Sequence, residues 1–293
     1  MTQKKILDHG FVELIEAWGT GKDGKVTRPE RDSESADYEI GIIEAARQST
    51  SGSFRGWESD SKLLASLYNR RHDTPFEFAG MVIEVQAPIM VFREWHRHRT
   101  QSYNEMSARY APLPDLVYAP STERLLMVNA KTGNKQAQGV KDAPDLTGTN
   151  AKVSRTVIQD SCSRSREDYE LLLSLGVAKE SARGVLPFFQ YSKMRACANL
   201  RNWLAFMTLR CDPNAQWEIQ QYALAVADLV KATFPQTYGL WERALERGKN
   251  QQAVDVKHAE LKAELRRYFE AGQLDITTDL YLLLRECENL TAS

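Results

Sequence analysis

The chain is 293 residues long, 42% hydrophobic and 26% charged, with a formal net charge of −1. That balance is ordinary for a globular protein and argues against bulk nucleic-acid binding, which shows as a strongly basic domain. No apolar stretch approaches the roughly 18 to 20 residues of a membrane span, the start lacks a signal-peptide core, and four scattered cysteines point to a reduced, cytoplasmic protein.

In chain order, apolar spacing predicts a strand over 11–18, then a polar, Gly-containing loop over 19–37. Short helices are expected over 40–47 and 62–71, the second with Leu63, Leu64, Leu67 and Tyr68 on one face. After Pro75, residues 79–87 are the strongest strand, rich in β-branched residues and stopped by Pro88. A helix over 89–96, with Pro88 at its first position, would point its far end at the chain that follows. Beyond Tyr110 the prolines Pro112, Pro114 and Pro120 make the chain irregular, and 129–150 reads as an exposed insertion. A long helix is expected over 153–175, a short one over 181–185, and a second long strand over 188–198. Helices over 199–210 and 215–233 follow, the latter with Trp217, Tyr222, Val226, Leu229 and Val230 available for a buried stripe. Two more helices are expected between 253 and 290. The whole reads as one α/β (α+β) domain over 1–248 and a helical C-terminal extension over 249–293.

Residues 93–110 carry the strongest chemical signal. Arg93, His96, Arg97, His98 and Arg99 put five side chains that are or can be cationic within seven positions, and Ser102, Asn104, Glu105, Ser107 and Arg109 follow. Clustered arginines repel one another unless an anion offsets them, and the guanidinium fork matches phosphate with paired hydrogen bonds. A solvated basic turn would not need the adjoining polar run. The stretch therefore reads as a site for a phosphorylated ligand.

Other candidates have plainer alternatives. His72, just before Pro75, is either a turn residue or a functional one. His72, His96 and His98 make a poor metal set, since the last two diverge on a helix and no cysteine lies near, so no metal is expected. Arg201 and Arg210 stand nine residues apart on one expected helix and point to different sides. Ligand contact and ordinary helix-end charge both fit them.

Arg97-His98-Arg99, with Ser107 beyond it, resembles the signature of the flavin-dependent thymidylate synthases. Ala45-Ala-Arg47, His72-Asp-Thr-Pro-Phe-Glu77, Ser102-Tyr-Asn-Glu-Met-Ser-Ala-Arg-Tyr110, Ala182-Arg-Gly-Val-Leu-Pro187 and Ala215-Gln-Trp-Glu-Ile-Gln220 resemble further blocks of that family, in its order. The similarity runs over roughly residues 5–245. It implies a ThyX-like fold, with a central twisted mixed sheet flanked by helices, and a homotetramer with shared active sites. It further implies methylation of dUMP to dTMP, with 5,10-methylenetetrahydrofolate as carbon donor and FAD, reduced by NADPH, as hydride carrier. No enzyme cysteine would act as nucleophile, and neither membrane nor nucleic acid would be a partner.

On the family pattern, Ser49, His72, Thr74, Arg97, His98, Arg99, Glu105, Asn199, Arg201 and Asn214 would contact the flavin cofactor. Glu94, Trp95, His96, Arg97, Glu105, Met106, Ser107, Ala108, Arg109, Arg183 and Arg210 would bind dUMP, Arg109 and Arg183 through its phosphate. Arg210 would be catalytic: a fixed cation beside the uracil ring stabilises charge on its carbonyl and makes carbon 5 a better nucleophile. Ser107 would position rather than attack, since no base-and-orienter set accompanies it. Three positions depart from the pattern. Glu94 stands for a glutamine beside the phosphate, which its carboxylate would repel unless Arg93 or Arg97 neutralises it. Ala205 stands for a flavin-contacting asparagine, and Asn214 for a histidine. They leave open a second reading, a catalytically impaired nucleotide- or RNA-binding protein on the same scaffold.

Overall fold

The most strand-like stretch of the sequence is the middle of the sheet. β3 (Gly80–Pro88) lies between β2 (Gly10–Trp18) and β7 (Tyr191–Asn199), with β1 (Gln3–Ile6) and β4 (Ser102–Glu105) at the edges, in the order β1-β2-β3-β7-β4. This computed structural model describes residues 3–20, 37–50, 52–111, 113–129, 139–140 and 148–270. Every pairing in the sheet is antiparallel, which corrects the expected mixed sheet. Parallel neighbours need a crossover that returns the chain to the end it came from. Here β1 turns straight into β2 through Leu7, which takes a left-handed conformation (φ 56°).

One face of the sheet is the core. Met81, Ile83, Val85 and Ala87 alternate along β3 and are all fully buried. α3 (Ile89–Trp95), α7 (Leu200–Arg210) and α8 (Trp217–Thr233) cover them with Val91, Trp95, Trp203, Phe206, Met207, Ile219, Tyr222, Val226 and Val230. Burying a large apolar side chain contributes about 1.5–3 kcal/mol, so this face sets where the three helices lie. Contact is close enough that a Cβ on Gly10 would meet the Tyr222 hydroxyl at 1.9 Å. The opposite face is polar, with Arg195 and Glu84 paired at 3.3 Å. In α8 the expected stripe is buried at Tyr222, Val226, Leu229 and Val230, whereas Trp217 is half-buried beneath the Arg124 guanidinium, 5.6 Å from its ring.

Ahead of the central strand, α1 (Ile40–Ala46) and α2 (Trp57–Asn69) are joined by an ion pair. Arg47 Nη1 donates to Asp60 Oδ2 at 2.8 Å, and the Arg55 N–H donates to the same oxygen at 2.8 Å. Burial alone would raise the Asp60 carboxyl, but the hydrogen bonds from Arg47 and Arg55 and their charges outweigh it and hold the group below its ordinary range.

Several boundaries differ from the sequence expectation. Residues 102–105, part of the polar run that follows the cationic cluster, form edge strand β4. One side of an edge strand stays in solvent, so polar residues cost it little. Pro88 ends β3 and caps α3 rather than occupying its first position. α4 (Thr122–Leu125) precedes the 129–150 region, of which β5 (Val128–Asn129) and β6 (Gly139–Val140) pair with each other. α5 (Gly148–Ser174) starts earlier than expected, and α6 (Lys179–Ala182) leads into a 3-10 turn at Arg183–Val185. α9 (Pro235–Glu270) is a single helix that begins well before 253. Residues 21–36 of the loop expected over 19–37, most of the insertion, and the second tail helix lie outside the described residues. The chain divides into two compact units, 1–238 and 239–293; the expected boundary at 248 lies inside α9. No helix of the described residues is long and apolar enough to cross a membrane.

Candidate active site

α3 stops at Trp95, and the backbone beyond it is tied down at once. The His96 N–H donates to Phe92 O at 2.9 Å and the His98 N–H to Trp95 O at 3.0 Å. Tyr103, on β4, closes over this turn with a 2.6 Å bond to His98 O, and burial pushes its hydroxyl up to about 12. Trp95 is fully buried, with Nε1 on Gln101 Oε1 at 3.0 Å and its ring stacked on Phe206 at 4.5 Å. Its side chain belongs to the core. With Trp95 turned inward, Arg97 and Arg99 face solvent. Among the described residues no carboxylate pairs with Arg93, Arg97 or Arg99.

Arg210, the last residue of α7, reaches the same turn. Its Nε donates to His98 Nε2, its Nη1 to Glu94 Oε2, and its Nη2 to the Glu94 main-chain carbonyl, each at 2.9 Å. His98 Nε2 is thus an acceptor, so the ring proton sits on Nδ1 and the imidazole is neutral. Burial first, then the Arg210 charge, lowers its pKa to about 4. The sequence counted His98 among possible cations; the fold removes it from that set. Glu94 is neutralised by Arg210, and not by Arg93 or Arg97, the two residues the sequence offered for it. Its partner lies 116 residues away in the chain, beyond the reach of any local pattern.

A cavity of ≈ 490 Å³ opens between α3, the segment after β4, and the turn that follows α6. Ile89, Phe92, Met106, Ala108, Leu113, Leu186, Pro187 and Phe188 give it an apolar lining, and Arg93, His96, Glu105, Glu180, Arg183 and Ser192 supply polar groups. The Met106 N–H donates to Lys193 O at 2.8 Å, and Ser107 Oγ accepts the Arg109 N–H at 3.3 Å. His96 stacks on Phe92, with Nε2 3.3 Å from the Met194 sulfur and 4.0 Å from the Glu105 carboxylate. Arg109 pairs with Glu180 at 3.2 Å. Arg183 is exposed, with no carboxylate partner among the described residues. The Ser192 hydroxyl is buried and has no hydrogen-bond partner among the described residues.

The residues expected at flavin are distributed differently. Ser49, His72 and Thr74 are exposed. Asn199 caps α7, its Oδ1 accepting the Asn202 N–H at 3.0 Å. Arg201 pairs with Glu77. Asn214 donates from its side chain and its N–H to Asp212 Oδ1, at 2.9 and 2.7 Å. Ala205 is exposed on α7. Exposed donors at Ser49, His72, Thr74, Arg97 and Arg99 suit the pyrophosphate of a dinucleotide. Arg201 and Asn214 would first have to leave Glu77 and Asp212. None of Ser49, His72, Thr74, Asn199 and Arg201 lines the cavity.

The sequence marked Arg93 only as one of the clustered cations, and it marked neither Glu180 nor Ser192. Glu180 lies just ahead of the 182–187 block, which was a usable signal. Ser192 sits inside a strand, and nothing in its neighbours marks it.

Comparison with known proteins places the chain in a family. The family described as "Thymidylate synthase complementing protein" matches residues 32–236. The flavin-dependent thymidylate synthase of Thermosipho africanus is 36% identical over 234 residues, 80% of this chain and 91% of that protein. That of Thermus thermophilus is 35% identical over 246 residues, 83% of this chain and 79% of its own. A solved structure of PolB, a UMP/dUMP methylase from Streptomyces cacaoi bound with 5-Br dUMP, is 28% identical with a TM-score of 0.66, covering 82% of this chain and 97% of that one. The chain belongs to the flavin-dependent thymidylate synthases, a family of enzymes.

Proposed function

We propose that the protein methylates dUMP to dTMP, with 5,10-methylenetetrahydrofolate as carbon donor. Bound FAD, reduced by NADPH, supplies the hydride. The observation that carries the reading is the cavity, which gathers His96, Glu105, Met106, Ala108 and Arg183 from separate stretches of chain. Its ≈ 490 Å³ falls within the roughly 300–1,000 Å³ of small-molecule sites. Arg93 and Arg183 line it and Arg109 stands beside Glu180, which supplies cationic donors for one phosphate.

Arg210 is the donor assigned to the uracil carbonyl. Because the fold already fixes its guanidinium, it meets charge developing on the ring without reorganising. Arg97, Arg99, His72, Thr74 and Ser49 would hold FAD through its pyrophosphate. Their absence from the cavity wall suits a homotetramer in which each active site draws on more than one subunit. Among the described residues, burial raises the pKa of each cysteine, Cys162, Cys197 and Cys211, the wrong direction for an attacking thiolate. That supports chemistry without a cysteine nucleophile. Cytoplasmic location goes with this reading.

The test is tritium release from carbon-5-labelled dUMP by FAD-loaded protein supplied with NADPH and methylenetetrahydrofolate. Arg210→Ala should lower the rate about 100- to 1,000-fold. A protein that stays colourless after incubation with FAD, or a wild type that releases no tritium, would overturn the proposal. Unchanged release in the variant would remove Arg210 from the mechanism.

A further inference from the structure

Arg210 has five N–H groups, and three of them are committed inside the protein. Among the described residues, one N–H on each terminal nitrogen is left over. Two of the three acceptors belong to a single residue, Glu94, through its carboxylate and its main-chain carbonyl. That carbonyl lies in the last turn of α3, where helix carbonyls lack an intrahelical partner, so it accepts from Arg210 whatever side chain position 94 carries. The bond that depends on the side chain is the one to Oε2. It joins two ionised groups and is therefore the strongest of the three. The pair is partly sheltered, with Arg210 17% and Glu94 40% exposed.

We propose that Glu94 is the positioning residue for Arg210: its carboxylate sets the guanidinium so that Nε–H meets His98 Nε2 and one N–H on each terminal nitrogen is left for the substrate. The inference rests on the assignment of Arg210 to the uracil ring. It gives Glu94 a part other than contact with the nucleotide phosphate. Together Glu94 and Arg210 carry no net charge, so Arg210 can donate to a neutral carbonyl without attracting a phosphate dianion to itself. The phosphate is left to Arg93 and Arg183, which no carboxylate compensates among the described residues. His98 serves as the reporter. Facing it are the Arg210 guanidinium from α7, with Glu94 behind it, the Phe206 ring at 4.9 Å, and the Tyr103 hydroxyl, which bonds its main-chain carbonyl.

The experiment compares Glu94→Gln, Glu94→Ala and Glu94→Met in the full-length, FAD-loaded protein; the methionine keeps the side-chain length should alanine fail to fold. One readout needs no activity. The chain has five histidines, and nitrogen-15 NMR of their rings, assigned against His98→Asn, reports the His98 tautomer. Wild type and Glu94→Gln should show a proton on Nδ1 and none on Nε2. The alanine and methionine variants should show mixed tautomers. The second readout is tritium release. In the alanine and methionine variants kcat should fall about 10- to 100-fold, the loss of one hydrogen bond to a charged group. Their KM for dUMP should change much less. Glu94→Gln should recover most of kcat, because its amide oxygen still accepts from Nη1. An unchanged His98 tautomer in the alanine and methionine variants would overturn the proposal. So would a glutamine variant as impaired as alanine, or a loss confined to the KM for dUMP, which would put Glu94 against the phosphate. A wild type without activity whose His98 responds as described would overturn the proposed function while supporting the positioning role.

Discussion

The Nε–H of Arg210 points at the bare Nε2 of His98 across 2.9 Å, so the two side chains cannot both be cations. The consequence is a pH dependence with a defined sign. His98 falls from an ordinary 6.5 to about 4 in the fold, by burial and then by the Arg210 charge. Between those values the unfolded chain binds more protons than the folded one. Stability is therefore complete above pH 6.5 and is lost as pH falls toward 4. Thermal unfolding of wild type and His98→Asn across that range should show a steeper decline for the wild type. Parallel curves would mean that His98 is not held neutral by the fold.

Asp60 makes a different kind of prediction. Its carboxylate is fully buried against an Arg47 side chain only 11% exposed. Removing one partner leaves the other charge buried and unpaired, at a cost of about 3–5 kcal/mol. Asp60→Asn and Arg47→Ala should each lower the urea midpoint by an amount of that order, with flavin content following only through stability. A loss below about 1 kcal/mol in both would mean that water reaches the pair, as it does in exposed salt bridges.

These two pairs show what was legible in the sequence. β3 and α8 were readable because burial on one face writes a period of two or about 3.6 into their apolar residues. β4 was not, because an edge strand alternating between exposed and half-buried residues has no apolar signal. The 93–110 stretch was readable as an anion site, because so many arginines in a short run need a counterion. Its internal electrostatics were not. The neutrality of His98 comes from burial and then from Arg210, and the pairing of Glu94 comes from Arg210, brought in from the far end of α7 by the packing of Phe206 against Trp95 and Trp203. Arg47 looked like a family block residue with no stated role; the structure gives it one in holding α1 to α2.

Ala205 bears on the flavin side of the proposed function. It is exposed on α7, so a longer side chain there meets no packed wall, and asparagine costs a helix at most about 0.7 kcal/mol relative to alanine. If FAD lies along this face, Ala205→Asn adds one hydrogen bond, about 0.5–1.5 kcal/mol, and should tighten FAD binding about two- to tenfold. Fluorescence titration of the protein with FAD reads this directly. Unchanged or weaker binding would move the flavin ring away from position 205.

Ser192 separates folding from binding within the cavity. Ser192 is among the residues that line the cavity, and its hydroxyl is fully buried, without a hydrogen-bond partner among the described residues. An unsatisfied buried polar group works against the fold, by about 1–3 kcal/mol, so Ser192→Ala should unfold at the same temperature or higher without ligand. If the cavity takes the nucleotide, that hydroxyl gains a partner when dUMP binds, and the same variant should bind dUMP about two- to tenfold more weakly, the worth of one neutral hydrogen bond. Calorimetric titration with dUMP and thermal unfolding of the same preparation supply both numbers. Opposite signs are expected. Loss of stability without loss of affinity would show that the hydroxyl serves the sheet and that the nucleotide lies elsewhere.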